Sequence, residues 1–146
     1  MARTSTYLNF ENQTEKAFEF YKSVFGGEFL DGGINRFRGL PASENSPEMP
    51  EDVKDLVMHV GLEITGGHCL MGTDAPTSLG FHLKMGNNVY INLEPDTRSE
   101  TLRLFNALSA GGKVEHELQE MFWGAYYGSC VDQFGVQWMF NCVESA

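Results

Sequence analysis

The sequence predicts an α+β protein built from two βαβββ modules, and three observations carry that prediction. Thr6-Tyr7-Leu8-Asn9-Phe10-Glu11 returns as Val89-Tyr90-Ile91-Asn92-Leu93-Glu94, at a constant offset of 83 (90 − 7) in a chain of 146 residues. Each copy runs into a segment with helical spacing of apolar residues and reaches a glycine pair, Gly26-Gly27 or Gly111-Gly112. Each then continues into three segments of alternating or β-rich character. One module, written twice, accounts for all three.

Tyr7 to Phe10 alternates and reads as the first strand. Asn12 or Thr14 can cap a helix whose inner side holds Ala17, Phe18, Tyr21, Val24 and Phe25. Gly26-Gly27 ends it in the manner of a left-handed cap. Phe29 to Phe37 is the second strand, followed by a long acidic loop, Glu44 to Asp55, in a stretch containing Pro41, Pro47 and Pro50. Leu56 to Ile64 alternates as a third strand, with His59 and Glu63 on its polar face. Gly66-Gly67 turns the chain into a fourth strand through His68-Cys69-Leu70-Met71.

The second copy repeats this order. Val89, Ile91 and Leu93 alternate in a strand, and Thr97 or Ser99 starts a helix with Leu102, Phe105, Leu108 and Ala110 inside. Lys113 to Leu118, Trp123 to Val131 and Val136 to Phe140 are the remaining strands. The modules span about residues 4–74 and 88–142, with a linker at 75–87, all within a single domain of residues 1–146.

Alternation also sorts faces. If Leu8, Phe10, Val89, Ile91 and Leu93 lie under the helices, then Tyr7, Asn9, Asn88, Tyr90, Asn92 and Glu94 point away from them. The last strand puts Val136, Trp138 and Phe140 on one side and Gln137, Met139 and Asn141 on the other. A βαβββ sheet covered by its helix on one face leaves the other open, and two open faces side by side can curve into a shared cup. Both copies offer it a Tyr-x-Asn pair.

Composition narrows the function. Twenty acidic against ten basic residues give a formal net charge of −10, a field that repels phosphate backbones, so no nucleic-acid partner is expected. No apolar run reaches the roughly 18 to 20 residues of a membrane span. The first five residues lack the apolar stretch of a secretory signal. With three scattered cysteines, Cys69, Cys130 and Cys142, and no CxxC pair, the expectation is a cytoplasmic protein with reduced, core-packed thiols.

Three segments carry a family resemblance. They are Tyr7-Leu8-Asn9-Phe10 with Ala17-Phe18-Glu19-Phe20-Tyr21, then Leu70-Met71-Gly72-Thr73-Asp74, then Phe122-Trp123-Gly124 through Tyr127-Gly128 to Asp132-Gln133-Phe134-Gly135-Val136-Gln137-Trp138. In this order and spacing they resemble the PhnB-like, demethylubiquinone methyltransferase-like subgroup of the vicinal oxygen chelate superfamily. That superfamily includes glyoxalase I, bleomycin-resistance proteins and extradiol dioxygenases. The resemblance implies a β-cup that encloses a small ligand, within a homodimer.

It also implies a divalent metal held by His, Glu or Gln from the first and last strand of each module. Here those positions carry Ser5, Met71, Asn88 and Met139. Hydroxyl and amide are weak ligands, and thioethers suit soft Cu(I), so neither a metal nor another cofactor is expected. The histidines do not rebuild such a site by spacing. His59 either faces the cup or is a satisfied polar group of the sheet. His68 at a turn and His82 in the linker are expected to be exposed, and His116-Glu117 lies on a peripheral strand.

Phe122, Trp123, Tyr126 and Tyr127 form an aromatic cluster, either a ligand-stacking wall or ordinary core. Asp132 to Gly135 resembles the family's Asp-x-x-Gly turn, with the carboxylate fixing a hairpin. Ser129 has no nucleophile elbow around it, and neither module has the glycine-rich strand-to-helix turn of a nucleotide or S-adenosylmethionine fold.

Two functions are therefore expected. The first is a metal-free small-molecule-binding protein using Tyr7, Asn9, His59, Tyr90, Asn92, Trp123, Tyr126, Gln137 and Met139. The second is a lyase, isomerase or dioxygenase-type enzyme in the same cup, either with relocated metal ligands or with His59, Tyr7 and Tyr90 as acid and base.

Overall fold

Helix α1 (Thr14–Phe25) follows strand β1 (Thr6–Phe10) in a computed structural model that describes residues 1–40 and 49–145. The chain divides into two compact units, Met1–Lys84 and Met85–Ala146. The first unit continues with β2 (Asn35–Arg36), a short helix α2 (Glu51–Lys54), β3 (Val57–Glu63) and β4 (Cys69–Asp74). Its sheet runs β1-β4-β3-β2, with β1 parallel to β4 and the other pairs antiparallel. The second unit contains β5 (Ile91–Leu93), α3 (Arg98–Ser109), β6 (Lys113–Glu120), β7 (Tyr126–Val131) and β8 (Gln137–Cys142). Its order β5-β8-β7-β6, with β5 parallel to β8, reproduces the first. The repeat read in the sequence is a repeat of sheet topology.

Helix α1 buries Ala17, Phe18, Tyr21 and Val24, the i, i+1, i+4, i+7 face that its spacing demands. Neither Asn12 nor Thr14 caps it with a side chain. The cap comes from the far end of the module: buried Asp74 accepts the Thr14 N–H on Oδ1 at 3.1 Å and the Val57 N–H on Oδ2 at 2.8 Å. One carboxylate ties the helix start and the β3 entrance to the end of β4. Gly26 closes the helix with φ 79 and ψ −168, a glycine conformation outside the expected left-handed one. Gly72 of β4 lies against α1 so closely that a Cβ there would meet Phe18 Cε2 at 2.5 Å.

Helix α3 is capped by Thr97, whose Oγ1 accepts the Glu100 N–H at 3.1 Å. It buries Thr101, Leu104, Phe105 and Leu108, while Leu102 and Ala110, expected inside, are exposed. Phe105 meets Phe140 edge-on at 5.3 Å beside fully buried Trp138. Asp132 holds the β7–β8 turn, as its sequence position implied. Its Oδ1 accepts from the Phe134 and Val136 N–H groups, and its Oδ2 accepts Trp138 Nε1–H at 2.9 Å.

Further local expectations need correction. The second strand shrinks from Phe29–Phe37 to two residues and a bridge from Phe29 to Leu62, because Asp31, Gly32 and Gly33 all have positive φ and cannot continue a ladder. Val89 precedes β5 and is exposed rather than under a helix. Trp123 belongs to the β6–β7 turn, closed by Met121 N–H to Ala125 O at 2.8 Å, so β7 begins at Tyr126. His68 is half-buried, with a ring nitrogen 2.9 Å from Thr6 Oγ1. The end of the acidic loop forms α2, while Pro41 and Pro47 lie outside the described residues. All three cysteines are buried free thiols. Among the described residues no helix is long and apolar enough to cross a membrane.

Candidate functional site

Strand register decides which side chains leave the helix-covered face of the first module. Gly72 faces α1, and it pairs with Leu8 on one side and Val60 on the other, so all three share the inner face. Their neighbours point the other way: Tyr7 beside Met71, Asn9 beside Thr73, and His59 one residue before Val60. Tyr7 and Asn9 are exposed and His59 half-buried, while Met71 beside Tyr7 is buried.

On that open face three side chains form a chain of hydrogen bonds. The Tyr7 hydroxyl lies 3.0 Å from His59 Nδ1, and His59 Nε2 lies 3.2 Å from Asp31 Oδ2. A carboxylate can accept but not donate, so Nε2 carries the ring proton and Nδ1 accepts from Tyr7 O–H. Desolvation pushes the Tyr7 phenol above its ordinary value, so the phenol stays protonated at neutral pH. The rings stand 5.8 Å apart, tilted by 35°.

Asp31 reaches His59 from the turn before β2. Its φ of 55 is left-handed, a conformation that aspartate tolerates better than most residues. The Asn35 amide donates to the carbonyls of Asp31 and Gly33 at 3.3 and 3.4 Å and fixes this turn. Sequence reasoning missed Asp31 because it read the segment as strand. The Asp-Gly-Gly tripeptide was the signal that a turn stood there.

The second module sorts its residues by the same rule. Ile91, Trp138 and Cys130 are register partners on the helix side, while Asn92, Met139 and Ser129 are partners on the open side. Tyr90, the repeat of Tyr7, donates to Glu115 Oε1 at 2.8 Å. That bond, followed by desolvation, raises the Tyr90 phenol above its ordinary value. Gln137 is buried and donates its amide to the Val89 carbonyl at 2.7 Å. Glu115 was also missed, since strand alternation alone does not say which long side chain reaches a tyrosine on another strand.

The aromatic cluster divides. Trp123 is exposed at the β6–β7 turn, edge-on to Tyr127 at 6.0 Å and to Phe122 at 5.0 Å. Tyr126 pairs with buried Cys142 and lies under the Arg98 guanidinium, 4.9 Å from ring centre to Cζ. It therefore sits on the helix side, away from the open face on which the sequence reading placed it. Of the expected site residues, the first module contributes Tyr7, Asn9 and His59 to one open face. Tyr90, Asn92, Gln137 and Met139 share the open face of the second, with Trp123 at its edge.

The positions at which the resemblance implies a metal do not suit one. Ser5 donates to the Met71 thioether, Oγ to Sδ 3.8 Å, so that pair offers neither carboxylate nor imidazole. In the second module, Gln137 precedes the Ile91–Trp138 pair and so occupies the place that Met71 has beside Tyr7; Met139 instead pairs with Asn92. Gln137 donates its Nε2–H to the Val89 carbonyl, and its amide oxygen is the single ligand atom of the kinds the resemblance names among Ser5, Met71, Asn88 and Gln137. Among the described residues no group of three or more His, Cys, Asp and Glu could hold a metal ion.

Comparison with known proteins agrees with this fold. Residues 2–140 match the 3-demethylubiquinone-9 3-methyltransferase family. Protein YjdN of Escherichia coli K12 is 28% identical over 96% of this chain and 95% of its own. The crystal structure of PA1353 from Pseudomonas aeruginosa is 34% identical, with a TM-score of 0.79 over 97% of this chain and 98% of that one. The PhnB protein of Bacillus cereus, 23% identical, shares the fold at a TM-score of 0.71 over 97% and 99% of the two chains. A glyoxalase/bleomycin resistance protein/dioxygenase family enzyme from Burkholderia phytofirmans, 20% identical, shares it at 0.62 over 95% and 98%. This chain belongs to the 3-demethylubiquinone-9 3-methyltransferase family, and it shares its fold with a PhnB protein and with a glyoxalase/bleomycin resistance protein/dioxygenase family enzyme.

Proposed function

We propose that this protein binds a small, uncharged and partly aromatic molecule, and that the open face of the first module, around Tyr7, Asn9 and His59, recognises it. The observation that carries this reading is the Tyr7–His59–Asp31 chain on the sheet face turned away from α1, with the Tyr7 ring exposed. A phenol and an imidazole held in fixed orientation, with flat faces and a polar edge, favour a ring bearing a carbonyl or hydroxyl. The net charge of −10 disfavours polyanionic ligands. The methyl transfer in the family's description is not carried to this chain. β1 meets α1 through Glu11-Asn12-Gln13 and β5 meets α3 through Glu94-Pro95-Asp96-Thr97, neither of which is a glycine-rich cofactor turn. The homodimer implied by the resemblance is part of the proposal, and sedimentation at micromolar concentration giving a monomer mass would count against it.

Calorimetric titration of hits from a library of small phenols and aryl ketones tests the binding reading. Tyr7→Phe and His59→Gln should each weaken a hit roughly tenfold, the loss of about one buried hydrogen bond. Tyr126→Phe, on the helix side, should leave it unchanged. Hits held with wild-type affinity by both Tyr7→Phe and His59→Gln would remove the first module's open face from consideration.

A further inference from the structure

Tyr7 and Tyr90 are repeats of one another, yet their hydroxyls are held by different groups, an imidazole and a carboxylate. The imidazole has two ring nitrogens, so it can take a phenol proton on one while the other donates to a carboxylate, which a lone glutamate cannot do. Behind the imidazole stands Asp31, whose carboxylate fixes the tautomer that leaves Nδ1 able to accept. Asp31 keeps that place through a left-handed backbone conformation stapled by two Asn35 hydrogen bonds. An anchored carboxylate, an oriented imidazole and an exposed hydroxyl in series are the parts of a proton relay.

Resting on the same binding face, we propose that Asp31, His59 and Tyr7 make Tyr7 Oη a general acid–base group for a neutral carbonyl compound with a hydrogen on the carbon next to the carbonyl. Tyr7 is the catalytic residue, since its oxygen touches the substrate; His59 and Asp31 are positioning residues. In the forward step the Tyr7 proton passes to His59 Nδ1 as Tyr7 Oη takes the proton from the α-carbon. The C–H electron pair forms the enolate C=C, and the carbonyl π pair moves to oxygen. His59 becomes an imidazolium whose Nε2–H is held by Asp31. The proton then returns through Tyr7 to the same carbon as the enolate oxygen pair re-forms the carbonyl, giving hydrogen exchange, or epimerisation at a stereocentre, with no net oxidation. No co-reactant is needed.

The relay can be read without knowing the natural substrate, because a hydroxyl activated toward protons is also activated toward esters. Full-length protein treated with p-nitrophenyl acetate near neutral pH should become acetylated at Tyr7, as read by peptide mass mapping. His59→Gln should slow Tyr7 acetylation at least tenfold and Asp31→Asn severalfold, with acetylation of Tyr90 unchanged as an internal reference. Asp31 is exposed, so its asparagine variant keeps the fold and the comparison stands even if His59→Gln is less stable. Tyr7 acetylation at wild-type rate in both variants would overturn the relay, while hit binding would still be judged by its own titration. Wild-type protein should also speed deuterium uptake at the α-carbon of 2-hydroxyacetophenone, and Tyr7→Phe should abolish the effect. Selective Tyr7 acetylation without such exchange would overturn the carbonyl assignment.

Discussion

The two modules share strand order, a parallel first-to-last strand pair and a Tyr-x-Asn motif at the same place, but they spend their polar residues differently. In the first, a buried carboxylate, Asp74, organises the helix start, and the open-face tyrosine binds a histidine backed by an aspartate. In the second, the buried carboxylate is Asp132, which organises a turn and a tryptophan, and the corresponding tyrosine binds a lone glutamate. Duplication preserved the strand order and the Tyr-x-Asn pair itself. What each tyrosine binds and what each buried carboxylate holds diverged, because those partners come from other strands and from turns, outside the repeated segment.

The sharpest break between the modules should appear when each loses its buried carboxylate. Asp132→Ala strands two backbone donors and the Trp138 indole, and is expected to cost about 3 to 5 kcal/mol in urea denaturation. Asp74→Ala strands two backbone donors and should cost about 2 to 4 kcal/mol. Equal losses would dissolve the distinction. Adding one methyl group sharpens it next. A Cβ on Gly112 would stand 2.1 Å from the Val131 carbonyl oxygen, which is backbone and cannot swing aside, whereas the obstacle at Gly72 is the Phe18 ring. Gly112→Ala should therefore destabilise by about 2 to 3 kcal/mol and Gly72→Ala by less, in the same assay.

Alkaline pH isolates the second module. Burial, together with the negative charges of Asp132 and Glu115, pushes the Cys130 thiol from 9.0 up to about 12. The unfolded thiol thus loses its proton first, and between pH 9 and 12 the folded state binds more protons. Stability from this group is intact below pH 9 and falls by about 1.4 kcal/mol per pH unit across that window. Denaturation midpoints of Cys130→Ala should show that much less slope, and an unchanged slope would contradict the assignment. Smallest are the exposed phenols: Tyr7→Phe and Tyr90→Phe should each change stability by less than about 1 kcal/mol. Function, not folding, must separate them.

Much of this was legible in the sequence wherever a local rule and the tertiary demand agreed. The 83-residue offset, the α1 face and the parity of Tyr7, Asn9, Gln137 and Met139 follow from periods of 3.6 and 2, and packing enforces both. Illegible features depend on contacts distant in sequence. Asp74 capping a helix 60 residues earlier, Asp31 reaching His59 and Glu115 reaching Tyr90 leave no periodic trace. Leu102 shows the intermediate case. It is apolar and helical, but a helix whose buried positions are Thr101, Leu104, Phe105 and Leu108 turns it outward. Tyr126 and Tyr127, adjacent aromatics in a strand, necessarily face opposite ways, and the one chosen for the ligand side lies against Arg98.

The account stands on the first module's open face being where a ligand is held. Backbone-amide and methyl NMR of isotope-labelled protein, titrated with a hit from the phenol and aryl-ketone library, tests that directly. The predicted result is saturable shifts at Tyr7, Asn9, His59 and Met71, with Tyr126 and the α1 interior unmoved. Shifts confined to other residues, or none from any compound that binds, would contradict it.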